Sequence, residues 1–78
     1  MNVDNQIKGI ISELFGMYPT DDDTFDSLLM DDFDKIELFD TISEEYAIDF
    51  PDDVFNGIVS VKGLITYIEM KFVNNNNN

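Results

Sequence analysis

The sequence predicts an all-α protein, built as a small antiparallel bundle of three main helices, one short helix and a long first loop. Three segments repeat apolar residues at helical spacing, and each is followed by a glycine, a proline-containing connector or a polar run. Seventy-eight residues suffice for one domain, which we place at residues 1–73. The asparagine run at residues 74–78 has nothing to bury, so we expect a disordered tail.

The first helix is predicted over residues 5–15, with Asn2 or Asp4 as the N-cap and Gly16 as a left-handed C-cap. Its apolar stripe comprises Ile7, Ile10, Ile11, Leu14 and Phe15. A loop is expected over residues 16–31, because this segment holds a proline and three adjacent aspartates that disfavour a helix. A loop of this length needs apolar anchors, for which we assign Phe25, Leu28, Leu29 and Met30.

The strongest helical pattern covers residues 32–46, with Asp31 or Asp32 as its N-cap. The residues that we assign to its buried stripe are Phe33, Ile36, Leu38, Phe39, Ile42 and Tyr46. Its remaining face is almost entirely acidic, with Lys35 as the one basic residue of the helix. That face carries Asp34, Glu37, Asp40, Glu44 and Glu45.

The last third of the chain predicts a connector, a helical turn and a helix. Residues 47–51 are expected to be extended, because Pro51 disfavours helical geometry at the residue before it. A single helical turn is predicted over residues 52–56 and should end at Gly57. Ser60 then caps a final helix over residues 61–73, whose buried stripe is Val61, Leu64, Ile65, Ile68 and Phe72.

Composition excludes several functions. The chain contains no cysteine, histidine or arginine, so it lacks the usual nucleophile, general base, metal ligands and bidentate phosphate binder. No pair of acids stands apart from the rest, so we expect no enzyme. Seventeen acids against four lysines give a net charge of −13, which repels nucleic acid. The favoured partners are basic protein surfaces or metal cations.

The sequence also bears on location. No stretch approaches the roughly 20 apolar residues of a membrane span. The first residues show neither a charged region nor an apolar core of a signal peptide. We therefore expect a cytoplasmic or organelle-matrix protein, and a monomer.

Four segments together resemble the acyl carrier protein family. Residues 7–17 are similar to its first helix and Leu-Gly-Val ending, and residues 34–46 to its acidic second helix. Residues 48–53 resemble its Ile-x-Ile-Pro-Asp-x turn, and residues 58–68 its final helix. The similarity runs without a gap from about Asp31 to Ile68. It implies a helical carrier-type bundle and a relation to fatty acid biosynthesis.

The resemblance also implies where a prosthetic group would sit. The family carries phosphopantetheine on the serine of an Asp-Ser-Leu motif at the start of the second helix. In register with Glu37 and Pro51, that serine position is held here by Asp32, whose carboxylate cannot form the stable phosphodiester. We therefore expect no cofactor. The alternative is Asp26-Ser27-Leu28, which has the letters of the motif and would make the chain a working acyl carrier modified at Ser27.

The acidic second helix is the family's docking face for basic enzymes. The resemblance implies docking through Asp31, Asp34, Glu37 and Glu44 onto a carrier-protein-dependent enzyme or a regulatory partner. A solvated face without a partner is the competing interpretation. Asp40 replaces the apolar residue that usually faces the partner, so this chain departs from the family there.

Two further features have alternative interpretations. The run Asp21-Asp22-Asp23 allows weak binding of divalent cations, but it lacks the ligand spacing and glycine of an EF-hand, so we assign no specific metal site. Seven phenylalanines could line an acyl cavity like the family's, or fill it. We favour filling.

Overall fold

The computed structural model describes residues 2–76, with side-chain burial for residues 2–72. It contains α1 (Val3–Phe15), α2 (Asp32–Tyr46), α3 (Asp52–Gly57) and α4 (Val61–Asn76). Within the described residues, the one β-type pairing is an isolated bridge between Thr24 and Ser60. The predicted all-α bundle is therefore confirmed. No helix among these residues is long and apolar enough to cross a membrane.

The core is built from α1, α2 and α4. Seven side chains are completely buried there: Ile7, Ile11, Leu38, Ile42, Val61, Leu64 and Ile68. Helix α1 packs against both α4 and α2, whereas α3 contributes no buried residue. The short helix is thus attached to the surface of the bundle, and it depends on its neighbours for position.

Helix α1 begins two residues earlier than predicted. Asn2 is its N-cap, and its side chain accepts a hydrogen bond from the backbone N–H of Asn5 at 3.1 Å. Gly16 ends the helix with φ of 76°, as the sequence predicted. Of the two candidate caps, Asn2 therefore performs the role.

The first loop is held to the start of α4. The N–H of Phe25 donates to the carbonyl of Val59 at 3.1 Å, and the N–H of Val61 donates to that of Asp23 at 3.0 Å. Phe25 and Met30 are buried, as expected of anchors. Leu29 is not an anchor: it is 89% exposed, because the turn ending there has φ of 60° and directs its side chain to solvent.

Helix α2 has the predicted bounds, and Asp31 is its N-cap. Its buried stripe is narrower than predicted, because Phe33 is 81% exposed and Ile36 is 51% exposed. The buried residues Phe39, Ile42 and Tyr46 lie on one line with Lys35 at four-, three- and four-residue steps. At the start of α2, the side chain that faces inward is therefore that of Lys35. Phe33 and Ile36 do not face inward.

Helix α4 begins as predicted and extends further. The hydroxyl of Ser60 accepts from the N–H of Gly63 at 3.0 Å, which confirms the cap. The helix continues to Asn76, three residues beyond its predicted end, so the first asparagines of the run are helical. Asn77 and Asn78 lie outside the described residues, and disorder of the tail stays a prediction.

Candidate functional site

The start of α2 is fixed by two aspartates that cap each other. The N–H of Asp34 donates to the Asp31 side chain at 2.9 Å, and the N–H of Asp31 donates to the Asp34 side chain at 3.2 Å. This capping box satisfies backbone donors that a helix start leaves free. Asp31 and Asp34 were both predicted to dock a partner, and in the structure both cap the N-terminus of α2.

Asp32 is the first residue of α2, and its carboxylate is exposed to solvent. At this position the N-terminal end of the helix dipole favours a negative charge. An ionised carboxylate offers hydrogen-bond acceptors and no hydroxyl. The residue therefore fits the helix start, but it does not fit the attachment of phosphopantetheine through a phosphodiester.

Ser27 lies in the first loop, outside every helix. Its hydroxyl accepts from the N–H of Thr24 at 2.9 Å, and its own N–H donates to the Thr24 hydroxyl at 3.0 Å. The Ser27 hydroxyl also lies within donor distance of the Asp23 carboxylate, at 3.2 Å. These bonds close a tight turn, so Ser27 has a local structural role even though its side chain is exposed.

Glu37 and Glu44 remain available on the exposed face of α2. They lie seven residues apart, which is about 10.5 Å along the helix axis. The ion pairs found among the described residues belong to Lys8 alone, so neither glutamate is neutralised there. Of the four predicted docking acids, these two are the ones without a capping role.

Two exposed apolar side chains accompany these acids, and the sequence analysis placed both in the core. Phe33 and Ile36 are three residues apart on α2, so they are neighbours on the helix surface. Glu37 and Asp40 follow Ile36 by one and four residues and flank it with negative charge. The accessible face of α2 is therefore apolar and acidic together.

Lys35 is turned away from the acidic face into a cluster of aromatic rings. Its ammonium donates to the carbonyl of Phe55 at 2.7 Å and lies 4.4 Å from the centre of that ring. The rings of Phe25 and Phe39 are each 5.5 Å away. Burial lowers the pKa of Lys35, while the charges of Asp32 and Asp26 oppose that shift. The sequence contained a signal for this inward position, because Lys35 shares the spacing of the buried stripe.

The aromatic residues pack between α2, α3 and the first loop. Phe39 contacts Phe25, Phe50 and Phe55, with ring centres 5.9, 4.8 and 4.9 Å apart. On another side of the bundle, Phe72 packs on Tyr46 at 5.3 Å. Phe33 is the exception, since it is exposed. The Lys35 ammonium lies among the rings of Phe25, Phe39 and Phe55, and an open groove of about 500 Å³ remains between α2 and the segment from Asp49 to Phe55.

The run Asp21-Asp22-Asp23 is largely engaged within the chain. Asp21 pairs with Lys8 at 2.6 Å, and Lys8 also reaches Asp4 at 2.8 Å. The hydrogen bond from Lys8 lowers the pKa of Asp21, and the backbone hydrogen bond from Thr20 lowers that of Asp23. Over the described part of the chain, no group of three or more acidic side chains is placed to hold a metal ion.

Comparison with known proteins agrees with this architecture. The profile of a family described as "Phosphopantetheine attachment site" matches residues 5–68, which run from α1 into α4. The chain therefore belongs to this family of carrier proteins, as the order of its helices predicted. A curated relative, "Acyl carrier protein" of Campylobacter hominis, is 27% identical over 73 residues, which cover 88% of this chain and 92% of the relative.

Proposed function

We propose that this protein is a carrier-protein relative that works as a non-enzymatic interaction module, without a phosphopantetheine arm. The observation that carries the proposal is the exposed Asp32 carboxylate at the first residue of α2, where the family resemblance places the modified serine. The four helices of a carrier-type bundle are present, and the family match covers residues 5–68. We propose that selection has kept the docking scaffold while the attachment chemistry was lost.

The acidic face of α2 supports docking as the retained role. Glu37 and Glu44 are exposed, and Phe33 and Ile36 offer apolar area beside them. Complementary charge speeds encounter with a basic surface, and the apolar side chains then add area that leaves water. We propose a carrier-protein-dependent enzyme or a regulatory protein as the partner, met in the cytoplasm or an organelle matrix.

A second candidate function is that of a working acyl carrier in fatty-acid or polyketide synthesis, with phosphopantetheine on Ser27. The family match and the local sequence Asp26-Ser27-Leu28 favour it. Against it stand the hydrogen bonds that hold the Ser27 hydroxyl in the loop turn. Weak binding of divalent cations to so acidic a chain remains a third role, with no specific site proposed.

Intact mass after incubation with a promiscuous phosphopantetheinyl transferase and coenzyme A tests the first proposal against the second. We expect the wild-type chain to stay unmodified. Asp32→Ser should gain one phosphopantetheine, because it restores a hydroxyl at an exposed helix start. Serine is an equally good residue near an N-cap, so the variant should differ in stability by less than about 1 kcal/mol.

Ser27→Ala is the matched control in both backgrounds. It should leave the wild type unmodified and should not prevent modification of Asp32→Ser. If the wild type were modified and Ser27→Ala abolished that modification, the protein would be a working carrier and the first proposal would be wrong.

A further inference from the structure

An asparagine followed by glycine occurs once in the sequence, at Asn56-Gly57. Both residues are exposed, and they form the C-terminal end of α3. Because glycine has no Cβ, its backbone nitrogen can be approached closely by the side-chain carbonyl of the asparagine before it. Where other asparagines of the chain have a following residue, it is valine, glutamine or a further asparagine, and each of these carries a side chain. Asn56 is therefore the asparagine best placed to react with its own backbone.

The fold gives no packing reason for glycine at position 57. A Cβ built at Gly57 would meet no heavy atom within 4 Å. The backbone there is helical, and φ is not positive as it is at Gly16. Glycine is also a poorer helix former than alanine. Alanine would therefore fit at this position, which makes it a control that keeps the fold and changes the chemistry.

Helical geometry normally protects an asparagine, because it holds the next backbone nitrogen away from the side-chain carbonyl. The protection that α3 gives is weak. This helix has six residues, buries none of them, and has an N-cap, Pro51, without a side-chain hydrogen bond. So short a helix is not stable by itself. Its last turn should open at a small part of the free energy of global unfolding.

Phe55, the residue before Asn56, attaches α3 to α2. Its ring packs on that of Phe39 with ring centres 4.9 Å apart, and its carbonyl accepts a hydrogen bond from the Lys35 ammonium at 2.7 Å. That carbonyl belongs to the peptide bond between Phe55 and Asn56. Lys35 therefore restrains the backbone directly before the Asn-Gly pair.

We infer that Asn56-Gly57 is a site of spontaneous deamidation, whose rate is set by the opening of the last turn of α3. The Gly57 nitrogen loses its proton to a base in the solvent and bonds to Cγ of Asn56. The Cγ–Nδ2 bond breaks, and the amide nitrogen leaves as ammonia with a proton from water. Water then opens the cyclic imide at either of its carbonyls. Attack at Cγ gives an aspartyl residue, and attack at the α-carbonyl gives an isoaspartyl residue whose backbone runs through Cβ and Cγ.

Either product changes the surface at the end of α3. Both add one negative charge to a chain that already carries −13, at a helix end where the free carbonyls disfavour it. The isoaspartyl product also lengthens the backbone between Val54 and Ile58. The N–H of Ile58 donates to the Val54 carbonyl at 3.1 Å, and this bond cannot keep its geometry across a longer backbone. Deamidation thus loosens α3 as the molecule ages, whether or not α2 docks a partner.

Incubation of the full chain at physiological temperature, followed by peptide mapping with mass spectrometry, tests the inference. We expect aspartyl and isoaspartyl products at position 56, formed faster as the pH rises because the attacking nitrogen must lose a proton. The rate should lie within about a hundredfold of that of a synthetic peptide of residues 52–60, which corresponds to an opening free energy of at most about 2.7 kcal/mol. Slower conversion would overturn the inference, because α3 would then protect the pair.

Gly57→Ala is the matched control for the chemistry. It should slow conversion by about tenfold or more, since the added methyl group hinders attack by the nitrogen and the alanine strengthens the helix. The free space around position 57 means that this variant should fold as the wild type does. An unchanged rate would contradict attack by the Gly57 nitrogen and would remove the site.

Two lysine variants test the control by α3. Lys35→Ala should speed conversion about three- to tenfold, because it frees the Phe55 carbonyl, whereas Lys62→Ala should stay within about twofold of wild type. Circular dichroism checks that each variant is folded, and Lys35→Met takes the place of Lys35→Ala if the latter is not. Equal rates for the two lysine positions would show that the last turn of α3 does not set the rate.

Discussion

Two acidic regions of this chain look alike in sequence and differ in structure. In the first loop, Asp21 pairs with Lys8, and Asp23 accepts hydrogen bonds from Thr20 and Ser27. On α2, the one lysine turns into the aromatic cluster and leaves Glu37 and Glu44 exposed without a counter-charge among the described residues. The comparison teaches that the direction taken by the few lysines, more than the number of acids, decides which acidic surface is open to a partner.

Charge reversal should separate the two regions most clearly. Glu37→Lys with Glu44→Lys should slow association with the cellular partner, once that partner is purified, by about tenfold or more at low salt, because complementary charge controls encounter. The association rate is measured by stopped flow or by surface plasmon resonance across a series of salt concentrations. The effect should diminish as salt rises.

The control makes the same change in net charge away from α2, with Glu13→Lys and Asp22→Lys, two exposed acids. At about 0.15 M salt it should slow association by less than about threefold, since charges farther from the contact than the Debye length of about 8 Å are screened there. Equal losses from both double variants would show attraction to total charge alone and would remove the distinction between the regions.

Substitution of Lys35 tests whether the lysine that points into the aromatic cluster contributes to stability. Lys35→Ala should lower the free energy of unfolding by about 1–2 kcal/mol, because it loses the bond to the Phe55 carbonyl, the ring contacts and the buried stem. Lys35→Met keeps an unbranched apolar side chain in place of the lysine stem, so it should lower the free energy of unfolding by less. Urea unfolding followed by circular dichroism measures both variants.

An exposed lysine provides the reference for that measurement. Lys62→Ala should change stability by less than about 0.5 kcal/mol, as surface substitutions usually do. If Lys35→Ala were equally neutral, the aromatic cluster would hold α3 without help from the cation.

The Lys8 pairs in the loop should give the smallest effect, and one that depends on pH. Pairing holds the pKa of Asp21 below its ordinary value of 3.8, so its contribution is present above that pH and is lost as pH falls through the lower folded-state value. The difference in melting temperature between wild type and Lys8→Met should therefore be constant near neutral pH and shrink below about pH 4.

Comparing two proteins at each pH removes the general gain in stability that protonation brings to so acidic a chain. A difference that did not change between pH 7 and pH 3 would mean that the Asp21 pair does not stabilise the loop. The same partners raise the pKa of Lys8, so on the alkaline side its contribution to stability should be complete below the ordinary lysine value of 10.5 and should be lost as the pH rises from there through the higher folded-state value.

The sequence predicted most of the helices because their signals are local. The bounds of α2, its cap Asp31 and the cap Ser60 of α4 all follow from side chains within a few residues of each helix end. The exposure of Phe33 and the partial burial of Lys35 were missed. An apolar stripe about 100° wide has uncertain edges, and contacts with α3 and the loop decide which residue at an edge turns inward.

The candidate site was predictable in part. The position of Asp32 at the first residue of α2 follows from the same local signals as the helix itself. The groove between α2 and the segment from Asp49 to Phe55 does not follow from them, because Asp40, Asp49 and Asp52 come together only when α3 folds back beside α2. The spacing of residues along one helix gives no information about a groove whose acidic residues come from α2, the connector and α3.

The bridge between Thr24 and Ser60 has a consequence for how the molecule opens. Together with the hydrogen bonds of Phe25 and Val61, it ties two points of the chain more than thirty residues apart, and α2 and α3 lie between them. Helices α2 and α3 therefore lie in one segment whose two ends are joined to each other, and this segment is attached to the pair formed by α1 and α4. Local unfolding that breaks the tie should release the amides of α2 and α3 to hydrogen exchange as one cooperative unit. The docking surface and the loop that closes it would then share a single opening free energy, so a bound partner would slow exchange at Thr24 as well as along α2.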